Sequence, residues 1–168
     1  FGPQRFGVGA GNLGAVQRWL ATGSLPRGVS RSFLFSAARS YLFNRLLAAR
    51  IARFGLAVHP DDHCDEGGVP TAPLWGRGRS ASRGVMAELE RGVLEPYGDL
   101  CHALEHAGLR QDRRALWLHA EAVRCEMVGP EQLLLSFQLP RGALRRLCLP
   151  PSAPRPGARR RPHERPQF

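Results

Sequence analysis

The sequence predicts an α+β fold in which helices come first along the chain and strands follow. Apolar residues recur at helical spacing in residues 30–54 and again in residues 84–107. Apolar and polar residues alternate in Ala115–Val123 and Gln132–Leu139, with the turn residues Gly129 and Pro130 between them. We therefore expect a helix-rich body followed by a pair of strands.

Length and composition are those of one globular domain. The chain has 168 residues, of which 43% are apolar, which is enough for one core. No apolar run approaches the roughly eighteen residues of a membrane-spanning helix, and no basic segment followed by an apolar segment marks a leader. These features predict a cytoplasmic protein.

The first predicted helix runs from about Asn12, a suitable cap, to about Leu20, and the glycine and proline of residues 23–26 end it. The glycine-rich stretch before it, residues 7–14, is a weak match to a phosphate loop. It lacks a preceding strand and the terminal Gly-Lys-Ser/Thr motif.

The clearest predicted helix spans residues 30–54 and stops at Gly55. Its apolar stripe includes Leu42 and Leu46, four residues apart, while five polar residues lie off that stripe. These are Arg39, Asn44, Arg45, Arg50 and Arg53. This basic edge is either a solvated surface or a surface that faces RNA phosphates, and both interpretations can hold at once.

Residues 56–82 are predicted to be a loop, and two further helices are predicted at 84–95 and 99–107, the second ending at Gly108. Within the loop, Trp75 lies between Pro73-Leu74 and the segment Gly-Arg-Gly. Trp75 either contacts nucleic acid or packs back onto the helix.

Charge is distributed unevenly. All 24 basic residues are arginine. Residues 1–58 contain eight arginines and no acid, residues 59–140 eight arginines and thirteen acids, and residues 141–168 eight arginines and one acid. The formal charges are thus +8, −5 and +7. A basic surface attracts a polyanion, and arginine binds phosphate with two parallel hydrogen bonds. Nucleic acid is the expected partner, although a compositional bias toward arginine on an ordinary surface would look the same.

The four cysteines (64, 101, 125 and 148) show no paired spacing, so we expect free thiols. His59, His63, Cys64, His102 and His106 could be combined into a zinc site, but their spacing matches no standard structural site. We therefore expect no metal.

Six segments occur in one order: FGPQRFG, GNLGAVQRWL, FLFSAARSYLFNRLLAARI, APLWGRG, LEHAGLRQDRRAL and LLLSFQLP. Together they resemble the TruD family of tRNA pseudouridine synthases, over about residues 1–140. The resemblance implies an enzyme that isomerises uridine to pseudouridine in tRNA without a cofactor, acting as a monomer. It implies a helix-rich, family-specific insertion domain flanked by pieces of a mixed-sheet catalytic domain.

The resemblance also implies the domain boundaries. Residues 1–13 would end a catalytic segment, residues 14–135 would form a shortened insertion domain, and residues 136–148 would return to the catalytic domain. Residues 149–168, rich in proline and arginine, are predicted to be a disordered tail.

Site residues follow from the same resemblance. Phe1, Gln4 and Arg5 match the family motif and are the candidate substrate-binding residues: Phe1 would stack on the uracil, while Gln4 and Arg5 would hold the loop or make backbone contacts. Weaker candidates for RNA binding are Arg39, Arg45 and Arg77. The family's essential aspartate lies in a motif that this sequence does not contain, so no catalytic residue is assigned and the chain alone is expected to be inactive. The alternatives are a non-catalytic RNA-binding module or remnant, and a small interaction domain with an incidental basic surface.

Overall fold

The computed structural model describes residues 6–7 and 11–139. Helices and two small antiparallel sheets alternate along the chain, which confirms the predicted α+β class. The elements are α1 (Gly11–Thr22), α2 (Arg31–Phe54), β1 (Thr71–Leu74), α3 (Gly84–Leu94), a 3₁₀ turn (Glu95–Tyr97), α4 (Gly98–His106), β2 (Asp112–Ala115), β3 (Glu121–Gly129) and β4 (Gln132–Gln138). Among the described helices, none has the length and apolar character needed to cross a membrane.

Helix α2 is the centre of the core. Leu34 and Leu42 on α2 are fully buried, and Leu104 of α4 is fully buried in the same cluster. The helix starts one residue later than predicted, with Ser30 at its N-cap, and ends at Gly55. Gly55 has a φ of 67°, and its N–H donates to the carbonyl of Ile51 at 2.8 Å. A left-handed residue at that position ends the helix and favours glycine.

Helix α1 packs on α2 through aromatic side chains. The rings of Trp19 and Phe35 are tilted, with their centroids 5.1 Å apart. Asn12, predicted as the cap, is instead the second residue of α1. Gly23 ends the helix as predicted, with a φ of 68° and its N–H donating to the Trp19 carbonyl.

The prediction that residues 56–82 contain only loop is wrong, because Thr71–Leu74 forms β1. This strand pairs antiparallel with β2, so that Thr71 lies opposite Ala115 and Leu74 opposite Asp112. The strand includes Pro73, which has no N–H for a ladder hydrogen bond, and its partner is about forty residues away. Local patterning therefore gave no sign of the pairing.

The C-terminal strands are also placed differently from the prediction. A strand over Ala115–Val123 is wrong: residues 116–120 have no strand structure, and β2 and β3 flank them. Strands β3 and β4 form a hairpin across the predicted turn at Gly129 and Pro130. Among the described residues, the core cluster and the side chains packed against it extend along the chain only to Trp117, so the hairpin lies outside that core.

Candidate nucleic-acid interface

The predicted substrate-binding residues Phe1, Gln4 and Arg5 lie outside the described residues. Among the described residues, the candidates for contact with nucleic acid are the arginines of α1, α2 and the segments that pack on them. These arginines fall into two groups. Some are held inside the fold by carbonyl and carboxylate oxygens, and others lie on the surface where a phosphate could reach them.

Arg50 belongs to the first group, contrary to the expectation of a solvated helix edge. Only 4% of its side chain is exposed, and its Nη2 lies 2.7 Å from Oδ2 of Asp62, itself 3% exposed. Arg50 also donates to the carbonyls of Gly55 and Ala57, each at 2.6 Å. The side chain thus binds the last turn of α2 to the chain that follows it.

The pairing with Arg50 changes the acidity of Asp62. Burial alone would raise the pKa of this carboxyl group, but hydrogen bonds from Arg50 and from the His59 N–H, together with the Arg50 charge, lower it below its usual value. The His59 N–H donates to Oδ2 of Asp62 at 2.7 Å. Asp62 is therefore an ionised structural carboxylate.

Arg39, a predicted RNA contact, is half-buried. Its Nη2 donates to the Leu74 carbonyl at 2.7 Å and to the Arg110 carbonyl at 3.0 Å. Burial lowers the pKa of Arg39 from its usual value, and the charge of Asp112 opposes that shift. In this structure Arg39 joins α2 to the end of β1 and to the loop before β2, while its role toward RNA stays a prediction.

Arg113 forms a third internal cluster. Its Nη2 lies 3.2 Å from Oε1 of Glu90 and 2.7 Å from the Thr71 carbonyl, and its Nε donates to the Thr71 hydroxyl. Ser80 and Ser82 donate to the two carboxylate oxygens of Glu90 at 3.0 and 2.6 Å. The cluster ties the loop before α3 to both strands of the first sheet.

The second group is exposed. Arg45 on α2 and Arg77 after β1, the two other predicted RNA contacts, both lie on the surface. The other exposed arginines of the described residues are Arg18, Arg27, Arg31, Arg53, Arg79, Arg83, Arg91, Arg110 and Arg124. Five of the exposed arginines (Arg18, Arg27, Arg31, Arg45 and Arg53) lie within residues 11–58, a stretch that contains no acid of its own.

Arg77 extends from a tightly fixed segment. Its N–H donates to the Leu109 carbonyl at 2.7 Å, and its carbonyl accepts the N–H of Gln111 at 3.1 Å. A Cβ on the preceding residue, Gly76, would lie 2.5 Å from the Arg110 carbonyl carbon and oxygen, so only glycine permits this approach. Because its backbone is held on both sides, Arg77 presents its guanidinium from a defined position.

Trp75 packs back onto the fold, which is one of the two interpretations left open by the sequence. Its indole N–H donates to Oε1 of Glu105 at 3.0 Å, and the ring packs against the core cluster. Glu105 thereby satisfies the polar end of a largely apolar side chain. The polar contact of Trp75 is thus with α4, and its ring faces the core.

A groove between α1, the start of α2 and α4 was not predicted. Its volume is about 900 Å³, and Gln17, Arg31, Asp99, His102 and His106 supply polar groups to its lining. The rings of His102 and His106 have centroids 3.9 Å apart on adjacent turns of α4. The sequence feature that could have indicated this groove is the four-residue spacing of the two histidines, which places both rings on one face of the helix.

The described cysteines and possible metal ligands do not form a candidate catalytic or metal site. Cys64, Cys101 and Cys125 are free thiols, and burial, with the nearby charge of Glu105, raises the pKa of Cys101 to about 11. Within residues 6–7 and 11–139 no cluster of three or more His, Cys, Asp or Glu residues could hold a metal ion.

Most of the aspartates have structural contacts. Asp61 accepts the Val85 N–H at the start of α3 at 3.0 Å, and Asp65 accepts the N–H groups of Gly67 and Val69. Asp62 is paired with Arg50 as described above. These three carboxylates organise the loop between α2 and α3, which gives a physical account of their presence without a catalytic role.

Comparisons with known proteins give relatives named tRNA pseudouridine synthase D. The chain is 42% identical to "tRNA pseudouridine synthase D" of Aeromonas hydrophila over 168 aligned residues, which cover 85% of this chain and 47% of the relative. Proteins of the same name from Aeromonas salmonicida and Nitrosococcus oceani are 42% and 38% identical, each with 85% of this chain and 47% of the relative covered. The chain thus spans about half the length of the curated relatives it matches.

The other two comparisons are weaker. No protein-family model matches the chain. A solved structure, the putative tRNA pseudouridine synthase D from Methanosarcina mazei, aligns with a TM-score of 0.49 and 21% identity, over 82% of this chain and 43% of that one. The curated relatives alone therefore confirm the resemblance drawn from the sequence motifs: over 85% of its length this chain is similar to proteins named tRNA pseudouridine synthase D.

Proposed function

We propose that this chain is part of a tRNA pseudouridine synthase that isomerises a uridine in tRNA to pseudouridine. The observation that carries the proposal is the 42% identity to a protein named tRNA pseudouridine synthase D over 85% of this chain. We further propose the domain boundaries predicted from the sequence, with residues 14–135 as the insertion domain. Phe1, Gln4 and Arg5 are proposed to belong to the substrate-binding motif, with Phe1 stacking on the uracil and the other two holding the loop, in a cytoplasmic, monomeric enzyme that requires no cofactor.

The contribution of this chain to that reaction is proposed to be RNA binding. Isomerisation breaks a glycosidic bond and forms a carbon–carbon bond, which requires a carboxylate next to a uridine turned out of its stack. Asp61, Asp62 and Asp65 are engaged in structural contacts. The exposed Arg45 and Arg77, by contrast, are available to bind the phosphates of tRNA.

RNA binding is tested by filter binding of the full chain to tRNA at two salt concentrations. Each phosphate contact that is lost lowers the salt slope by about one, so Arg45→Gln and Arg77→Gln should each weaken binding severalfold and flatten the slope. Arg124→Gln is the matched control: Arg124 is exposed, but its strand also contains Glu121 and Glu126, whose negative charges oppose a phosphate contact, so the affinity and the slope should both stay unchanged. Equal affinity for tRNA at both salt concentrations would contradict the proposal.

Catalysis is tested by the release of tritium from tRNA that carries 5-tritiated uridine. The chain alone should release none. Release should begin when the chain is combined with the part of the Aeromonas hydrophila relative that this chain does not match. If the chain alone turns over, one of its own carboxylates serves the reaction. If the combination binds tRNA and releases no tritium, the alternative of a non-catalytic RNA-binding module is favoured.

A further inference from the structure

The β3–β4 hairpin has one face made of apolar side chains. Cys125 lies opposite Leu135, and Met127 lies opposite Leu133, so these four share a face. Phe137 continues the same face by the two-residue period of a strand. The other face has the cross-strand pairs Arg124–Ser136 and Glu126–Leu134. The alternation is that of a sheet with one buried and one solvated side.

On the apolar face Cys125, Met127 and Leu133 are exposed, while Leu135 and Phe137 are half-buried. Met127 is 66% exposed and Leu133 is 59% exposed. In the described part of the chain, the core cluster and its surrounding side chains include no residue of β3 or β4. The hairpin is therefore patterned for burial, while no other described element buries it.

The hairpin is also incomplete as a sheet. Strands β3 and β4 form a two-stranded sheet by themselves, so each has one edge without a described partner strand. A two-stranded hairpin is marginally stable in water and requires a further strand or a packed layer. Unpaired N–H and C=O groups along a strand edge bind another strand readily. A suitable partner therefore supplies apolar side chains, a strand edge, or both.

We propose that this face docks on the part of a tRNA pseudouridine synthase that this chain does not contain. The inference rests on the proposed function. The curated relatives extend over about twice the length that this chain matches, so they contain a comparable amount of protein in addition to the matched region. A second copy of this chain would cover the same face, and the experiment distinguishes that occupant.

The experiment co-expresses the full chain with the unmatched part of the Aeromonas hydrophila relative and measures co-purification. Leu133→Gln and Leu134→Gln are the matched variants, since they change the same residue type at adjacent positions on opposite faces. Leu133→Gln should reduce the recovered complex about tenfold, because an apolar contact is lost, whereas Leu134→Gln should stay within about twofold of the original. Circular dichroism of each variant alone confirms that both remain folded.

Three outcomes would overturn the proposal: no complex forms, both variants weaken it equally, or the free chain is a dimer that Leu133→Gln dissociates. The last result, from sedimentation of the chain alone, would assign the face to a second copy. Docking requires neither tRNA nor turnover. A complex that forms but releases no tritium leaves the docking surface intact and removes the proposed function. Turnover in a mixture with no stable complex removes the docking surface alone.

Discussion

The helical region, residues 11–117, and the hairpin, residues 121–138, distribute polarity in opposite ways. The helical region encloses charged groups, with Arg50 and Asp62 paired at 4% and 3% side-chain exposure. The hairpin exposes apolar groups, with Met127 at 66%. Burying a charge is costly unless it is paired, and exposing an apolar face is costly unless it is covered. In the helical region the buried charges are paired within the chain, whereas no described residue outside the hairpin covers its apolar face.

The largest expected effect tests the buried charge of the helical region. Asp62→Ala leaves Arg50 buried without its carboxylate and should lower the free energy of unfolding by about 4 kcal/mol. Glu126→Ala, at an exposed position of the hairpin, should change it by less than about 0.5 kcal/mol. Urea unfolding followed by circular dichroism measures both. If both variants lost the same free energy of unfolding, the helical region and the hairpin would not differ in how much a charged side chain contributes to stability.

The same pair predicts a dependence on pH. The folded pKa of Asp62 is lower than its unfolded value, so the stabilisation is fully present above the ordinary pKa of an aspartate. It is lost as the pH falls through the lower folded value. Asp62→Asn should remove this component, and the difference in stability between the two proteins should therefore shrink in acid.

The next effect compares one leucine from each region. Leu104→Ala removes a fully buried side chain and should cost about 3 kcal/mol. Leu133→Ala removes a side chain that is 59% exposed and should cost about 0.5 kcal/mol or less in the isolated chain. If Leu133→Ala were as costly as Leu104→Ala in urea unfolding, the hairpin face would be covered within the chain itself.

The smallest effect concerns the backbone contact that fixes Arg77. Gly76→Ala forces a Cβ to within 2.5 Å of the Arg110 carbonyl group and should cost about 2 kcal/mol. Gly92→Ala is the control, because a Cβ at that position of α3 has no neighbour within 4 Å. It should stabilise the helix by up to about 1 kcal/mol. Thermal unfolding of the two variants should therefore shift in opposite directions.

Parts of the fold could be predicted because the governing contacts are local. Helix α2 was predicted to within one residue. Its apolar spacing, which includes Leu42 and Leu46, and its terminating glycine, Gly55, are features of residues that are close together in the sequence. The hairpin turn at Gly129 and Pro130 was visible for the same reason. The pairing of β1 with β2 was not, because about forty residues separate the strands and Pro73 argues against a strand.

The candidate site was less predictable than the fold. Helical spacing placed Arg50 at a polar turn, but it gave no information about the chain from Gly55 onward, which folds back so that the Gly55 and Ala57 carbonyls and Asp62 all reach Arg50. The groove near His102 and His106 depends on how α1 approaches α4, and no pattern within one helix determines that. Phe1, Gln4 and Arg5 stay predictions from the family motif.

The position of the indole rings has a consequence for spectroscopy. The chain has three tryptophans, and Trp19, Trp75 and Trp117 all lie in or against the core of the helical region. Their fluorescence therefore reports on that region, and the hairpin contributes no tryptophan emission. An unfolding curve recorded by emission and one recorded by backbone dichroism should diverge wherever the hairpin melts separately. The intrinsic fluorophores thus allow the melting of each region to be followed without an added label.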